Sequence, residues 1–146
     1  MNLVRRVTAE SLLGGRMVFP QPPRSSLEWV YVVRHGISSQ ALDAMLQSVE
    51  MSQAELARAL DIPERTLQRR KIEGVLSREE SAKLLRLARL VARAAEVFGD
   101  LNPAIAWIKT PLDALGGATP LSFVDTDIGT DNMMDMLGRI EHGVFM

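Results

Sequence analysis

The stretch that most constrains this chain runs from Ser52 to Gly74, SQAELARALDIPERTLQRRKIEG. Its spacing favours two short helices joined by a tight turn. Starting from Gln53, the residues Leu56, Ala57 and Leu60 recur at helical intervals and form one inward face. Ala57 lies where two crossed helices approach closely, so a small side chain is wanted there. Asp61, Ile62 and Pro63 make the turn: Ile62 plugs it, and Pro63 suits a helix start, where its missing N–H costs little. A second helix follows from about Glu64 to Lys71, with Leu67 inward and Arg65, Gln68, Arg69 and Arg70 outward. Arginine and glutamine are side chains that read base edges in a major groove, so the pattern predicts a helix-turn-helix bound to operator DNA. Gln53 or Thr66 could hold a phosphate through its amide or hydroxyl. The competing reading is a helical hairpin whose arginines only solvate a surface. Two positions depart from the general phage-repressor template: Asp61 stands where glycine is common, and Arg70 where a buried apolar side chain is usual. Ile72 is then the candidate to supply the missing contact.

Length and composition fit that reading once the charges are located. With 146 residues and 47% hydrophobic content, the chain can bury the core of one domain, or of two small ones sharing a core. It has no cysteine, which excludes disulfides and thiolate metal sites and fits a reducing compartment. No run approaches the roughly 18 apolar residues of a membrane span, and VTAESLLGG after Arg5 and Arg6 is too polar for a signal sequence. The expectation is a cytoplasmic protein that contacts no membrane. The formal charge is −1, but residues 1–49, 50–98 and 99–146 carry +2, +2 and −5. A local basic helix on a near-neutral protein leans on dimerisation to hold DNA and is sensitive to salt.

Around this motif the chain reads as a series of helices, and the expected fold class is all-α. Residues 1–25 form an N-terminal arm with a short helix near Ala9–Leu13 and the proline-rich linker FPQPPRSS, expected to be mobile until a partner orders it. The run LEWVYVVR at 27–34 could be a strand or a buried helix, and helix is favoured because nothing else offers a strand to pair with. Ser38 or Ser39 caps a helix through Gln47 with Leu42 and Leu46 inward, which completes a DNA-binding region over 26–76. A capping box at Ser77 and Glu80 opens a long connecting helix, 77–99, closed by Gly99. Leu84, Leu87, Leu90, Val91, Ala94 and Phe98 form its apolar stripe. Lys83, Arg86, Arg89 and Arg93 share another face, either a solvated surface or a track for a phosphate backbone. In the last region, 100–146, Asn102 and Pro103 signal a helix carrying Ala104, Trp107 and Ile108. Gly116 and Gly117 permit positive φ in a turn, Pro120–Val124 is a short helix, and Thr126 or Asp127 caps a final helix from about Ile128 to His142.

Little in the sequence points to chemistry. Asp125, Asp127 and Asp131 lack the glycine position and closing glutamate of a calcium loop and read as helix caps. Histidine occurs only at 35 and 142 and no nucleophile has a recognisable base, so neither an enzyme nor a cofactor or metal site is expected. The chain closes on RIEHGVFM, three apolar residues beyond Gly143. Val144, Phe145 and Met146 either tuck against their own core or insert into a pocket on another protein.

Several strings go further. RTLQRR at 65–70, FGD at 98–100, Trp107, Gly116, Gly117, Pro120, Thr126, Gly129 and LGRIEHGVF at 137–145 resemble the Xre/MbcA/ParS group of antitoxins. In that family an Xre-like helix-turn-helix precedes a toxin-binding domain, and Arg70 belongs to the RTLQRR pattern. The resemblance covers roughly residues 26–146. It implies an antitoxin that neutralises a RES-domain toxin acting on NAD and represses its own operon, as a homodimer within a larger toxin–antitoxin complex. It also implies that Arg139, Glu141, His142, Gly143, Val144, Phe145 and Met146 cover the toxin's nucleotide pocket. The alternative function is a stand-alone transcriptional repressor whose last third only dimerises.

Overall fold

A computed structural model describes residues 6–143, and among them regular structure is helical, with one isolated bridge between Ser38 and Val75. In chain order the helices are α1 (Ala9–Leu12), α2 (Ser26–His35), α3 (Gln40–Ser48), α4 (Gln53–Leu60), α5 (Glu64–Glu73), α6 (Arg78–Phe98), α7 (Leu101–Lys109) and α8 (Asp127–Glu141). Short 3₁₀ turns at Gly15–Met17, Asp113–Leu115 and Pro120–Phe123 connect some of them.

The long helix α6 is the spine. Its N-cap Ser77 accepts from the Glu80 N–H while Glu80 reaches back to the Ser77 N–H, so two otherwise orphaned donors are satisfied at its start. At its end Gly99 takes φ 83°, a left-handed conformation that costs glycine little. Between these caps Leu84, Leu87, Ala88, Leu90, Val91 and Ala94 are fully buried. Burying each leucine contributes about 1.5–3 kcal/mol, and the apolar surface of α6 serves helices from both halves of the chain. One core therefore runs from Leu12 and Leu42 through Leu56 and Leu87 to Ile108 and Leu137.

Three features differ from the sequence reading. Instead of forming a loose arm, residues 7–25 bury Leu12, Leu13 and Phe19 in the common core, with Phe19 edge-on to Trp29 at 5.3 Å between centroids. Secondly, α2 is a helix but not a buried one: Leu27, Val30 and Tyr31 are exposed and only its Trp29–Val33 side is half-covered. The third difference is at α7, whose N-cap is Asp100, accepting from the Leu101 N–H, rather than Asn102. Elsewhere the local chemistry acts as expected: Gly116 and Gly117 both take positive φ, and Thr126 caps α8 by accepting from the Gly129 N–H. Gly129 has a stricter role, since a Cβ there would collide with the Phe123 carbonyl oxygen.

Candidate functional site

The helix-turn-helix is built by α4 and α5. Ser52 and Glu55 form a capping box at the start of α4, and Asp61 ends it in the left-handed region at φ 53°. That conformation is one aspartate tolerates better than most residues, which explains how it replaces glycine here. Leu56, Ala57, Leu60, Ile62 and Leu67 are all buried, so the inward face and the turn plug hold as expected. The far end of α5 is tied back to the α2–α3 connection: Ser39 N–H donates to the Gly74 carbonyl at 3.0 Å and Leu76 N–H to the Ile37 carbonyl at 2.9 Å. The approach is tight enough that a Cβ on Gly36 would strike the Leu76 carbonyl oxygen, and Gly36 itself sits at φ 91°.

The candidate DNA contacts fall into two groups. Arg65, Gln68 and Arg69 project from the exposed face of α5, with Thr66 half-exposed beside them. Arg69 is loosely restrained by Glu73 at 3.4 Å in an exposed pair, which contributes little and leaves the guanidinium available. Gln53 and Arg70 are engaged inside the protein instead. The Gln53 amide oxygen accepts from Lys71 at 2.7 Å, and Lys71 also pairs with Asp43 at 2.9 Å. Arg70 bonds Glu80 through Nε at 2.7 Å and Glu73 through Nη1 at 2.7 Å. It does not project outward as the periodicity implied but braces α5 against the first turn of α6. Burial would raise the Glu80 carboxyl, but hydrogen bonds from Arg70 and from the Ser77 N–H and hydroxyl outweigh it and hold the group below its ordinary range. Hydrogen bonds from Arg70 to Glu80 and Glu73 raise the guanidinium in turn. Ile72 fills no gap: it is 88% exposed, and the ion pair takes the place of the apolar contact assigned to it.

Three of the four side chains of the basic row on α6 are likewise engaged, and Arg89 is the exception. Lys83 donates to the Asp61 carbonyl at 3.2 Å. Arg86 donates to the Val124 carbonyl through Nε and Nη2, at 3.1 and 2.9 Å, and to Asp127 through Nη1 at 2.6 Å. Arg93 forms a bidentate pair with Glu141 at 2.8 and 2.9 Å and also reaches Glu96 at 2.8 Å. These side chains do not track a phosphate backbone. Arg86 and Arg93 clamp the start and the end of α8 onto α6, and charge-assisted two-pronged contacts of this kind fix orientation as well as energy. The hydrogen bonds that Arg93 donates hold the Glu141 carboxyl below the usual carboxylate range, and the same bonds raise the guanidinium of Arg93.

The clamp at Glu141 lies just before the segment that the resemblance implies for toxin binding. Met133 and Leu137 seat α8 in the core, Glu141 is anchored, and His142 and Gly143 are exposed just beyond it, as is Arg139 on the outer face. Val144, Phe145 and Met146 lie outside the described residues. None of the acidic trio caps the helix, because Thr126 is the N-cap: Asp127 lies in the first turn and is bound by Arg86, and Asp125 and Asp131 are exposed. His35 places Nδ1 2.9 Å from the Tyr31 carbonyl oxygen at the end of α2. Among the described residues, no helix is long and apolar enough to cross a membrane.

Comparison with known proteins decides the family. Residues 28–89 match the antitoxin Xre-like helix-turn-helix domain, and residues 93–143 match the antitoxin Xre/MbcA/ParS C-terminal toxin-binding domain. Antitoxin Xre of Yersinia enterocolitica is 36% identical over 115 residues, covering 77% of this chain and 78% of that protein. The chain belongs to the Xre antitoxin family. Antitoxin Xre of Photorhabdus laumondii is 30% identical over the same shares of the two chains, and the Prs ADP-ribosylating antitoxin of a Sphingobium strain is 24% identical over 83% of this chain and 82% of its own. Among solved structures, a chain of the Mycobacterium tuberculosis MbcT–MbcA toxin–antitoxin complex aligns with a TM-score of 0.55 and 20% identity, covering 74% of this chain and 96% of that one. At that identity the likeness is one of fold. The chain thus joins a helix-turn-helix to a toxin-binding domain, and α6 is the element that ends one and begins the other.

Sequence reasoning missed the double clamp by Arg86 and Arg93. The signal was present in part: a cation seven residues from another on one face of a helix, with Asp127 and Glu141 fourteen residues apart on a later one. Pairing them across some forty residues required knowing how α6 and α8 align.

Proposed function

We propose that this chain neutralises a RES-domain toxin acting on NAD, inserting residues 139–146 into the entrance of the toxin's active site, and represses its own operon through α5. The observation that supports the first part most directly is the anchoring of Glu141 by Arg93, two residues before Gly143. A blocking segment works best when its root is rigid, because less freedom is then lost on binding. Arg139, His142 and Gly143 are exposed at that root, and the GVFM sequence supplies apolar side chains suited to a pocket. For the second part, Arg65, Gln68, Thr66 and Arg69 form the reading face, while Gln53 and Arg70 position it. A cytoplasmic homodimer presents two such faces to two half-sites, as helix-turn-helix repressors do.

The test is growth of a host expressing the toxin encoded beside this gene. Full protection by the intact chain and loss of protection on removing residues 143–146 are expected, with Glu141 and its clamp left in place. Protection undiminished by that truncation would sink the tail mechanism.

A further inference from the structure

A groove of about 1130 Å³ runs along α6 between the N-terminal segment, α2 and α8. Its floor is apolar, with Trp29, Val33, Leu85, Ala92 and Met134, and its walls carry Arg6, Arg24, Arg34, Arg78, Arg89 and Arg93 against a single lining glutamate, Glu96. Arg6 and Arg93 are satisfied by Glu96 and Glu141. Among the described residues, Arg24, Arg34, Arg78 and Arg89 pair with no carboxylate. Four unpaired arginines from three separate elements thus converge on one concavity of a protein whose net charge is −1. Beyond the rim, Leu27 and Tyr31 continue the apolar strip from Val30 along the outer side of α2, one helical turn back and one residue on. A second, smaller concavity of about 360 Å³ shares Val33, Leu85, Arg89 and Met134 with the groove and is lined by Asp127 and Asp131, and at the other end the Glu28 carboxylate accepts from the Arg24 backbone N–H at 2.7 Å rather than from its guanidinium.

We propose that this groove is a second docking surface for the toxin and receives an acidic, apolar-faced helix on the toxin's exterior, away from its active site. Charge complementarity selects the occupant. Guanidinium groups recognise carboxylates bidentately, and an apolar floor between charged walls is the form that accepts an amphipathic helix. The volume exceeds the about 300–1,000 Å³ usual for small-ligand pockets, and the apolar strip on α2 extends contact beyond the concavity. Arg93 connects the two surfaces: it lines the groove and also anchors Glu141, so one toxin molecule can occupy groove and tail together. Two linked contacts raise overall affinity through effective concentration without either being tight alone. The inference rests on the toxin-binding reading above, but it concerns side chains outside the tail.

The experiment is calorimetric titration of the purified toxin with the full-length chain and with Arg34→Glu, Arg89→Glu and the pair together. Truncation at 143 and the native operator are measured in parallel. The arginines are exposed or half-exposed at the groove, and Arg89→Gln, which adds no charge, guards against misfolding of the glutamate variants. Each glutamate variant is expected to weaken toxin binding about tenfold or more and the pair further, with a shallower salt dependence and unchanged operator affinity. Toxin affinity unchanged in all the arginine variants but lost on truncation would overturn the groove and leave the tail reading intact. Loss of operator affinity with toxin binding unchanged would overturn it in favour of nucleic acid. No binding by the intact chain would remove the toxin reading itself.

Discussion

The outward face of α5 and the basic face of α6 both carry arginines, but those of α5 are free or loosely paired, whereas every cation in the α6 row except Arg89 is engaged. On α5, Arg65 faces solvent and Arg69 is held only by an exposed pair, whereas on α6 both Arg86 and Arg93 are closed onto carbonyls or carboxylates of α8. An arginine already bonded inside the protein must break those contacts before it can meet a ligand, and a solvated one need not. Partner availability, not charge, therefore separates a recognition surface from a strut. Arg70 makes the same point within α5: it lies next to Arg69, and Glu80 has claimed it.

Six substitutions break or sharpen that contrast. The largest effect belongs to the shared spine. Leu87→Ala removes a fully buried side chain from α6 and should cost about 2–5 kcal/mol. Because one core serves both regions, denaturation followed by fluorescence of Trp29 and Trp107 should show them unfolding together, and separate transitions would mean two cores. Next, Arg65→Ala and Arg69→Ala should each weaken operator binding by about 1–3 kcal/mol in a gel-shift titration at fixed salt, with thermal stability nearly unchanged. Unchanged affinity would leave both as surface solvation.

Arg70→Ala should show the reverse, a loss of stability larger than its direct effect on base recognition, because it strands the partly buried Glu80. Its partner gives a pH signature. Glu80 titrates below its ordinary value in the folded chain, so its contribution is present above the unfolded pKa of about 4.3 and is lost as pH falls through the lower, folded value. The stability gap between the intact chain and Glu80→Gln should be widest near neutral pH, about 1–3 kcal/mol, and close in acid. A gap independent of pH would remove the ion pair from the account. The smallest effect is expected at Ile72→Ala, within about 0.5 kcal/mol in a melting experiment, since that side chain is exposed.

The same contrast explains what the sequence made legible. Helices whose signals are local were readable: the capping box at Ser77, the glycine stop at Gly99, and the buried spacing of Leu84, Leu87, Val91 and Ala94. Periodicity reports which way a side chain leaves its own helix, and it failed where the answer lay on another element. Arg70 looked outward until Glu80 was placed beside it, Gln53 looked free until Lys71 reached it, and Ile72 looked buried because Arg70 seemed out of place. The N-terminal segment failed for a related reason. Its prolines and glycines exclude long helix, but they do not prevent Leu12, Leu13 and Phe19 from joining the common core. The family itself was legible from scattered strings, RTLQRR, FGD and LGRIEHGVF among them, and the matches over 28–89 and 93–143 bear it out.

The central claim is a division of labour between two surfaces on one core, and a crossed pair of titrations tests it most directly. Arg65→Ala with Arg69→Ala, and separately truncation before Val144, are each measured against operator DNA and against purified toxin. The account predicts that the double substitution loses operator and keeps toxin, while the truncation loses toxin and keeps operator. If either change weakens both ligands equally with the fold intact, the two surfaces are one, and the division proposed here is wrong.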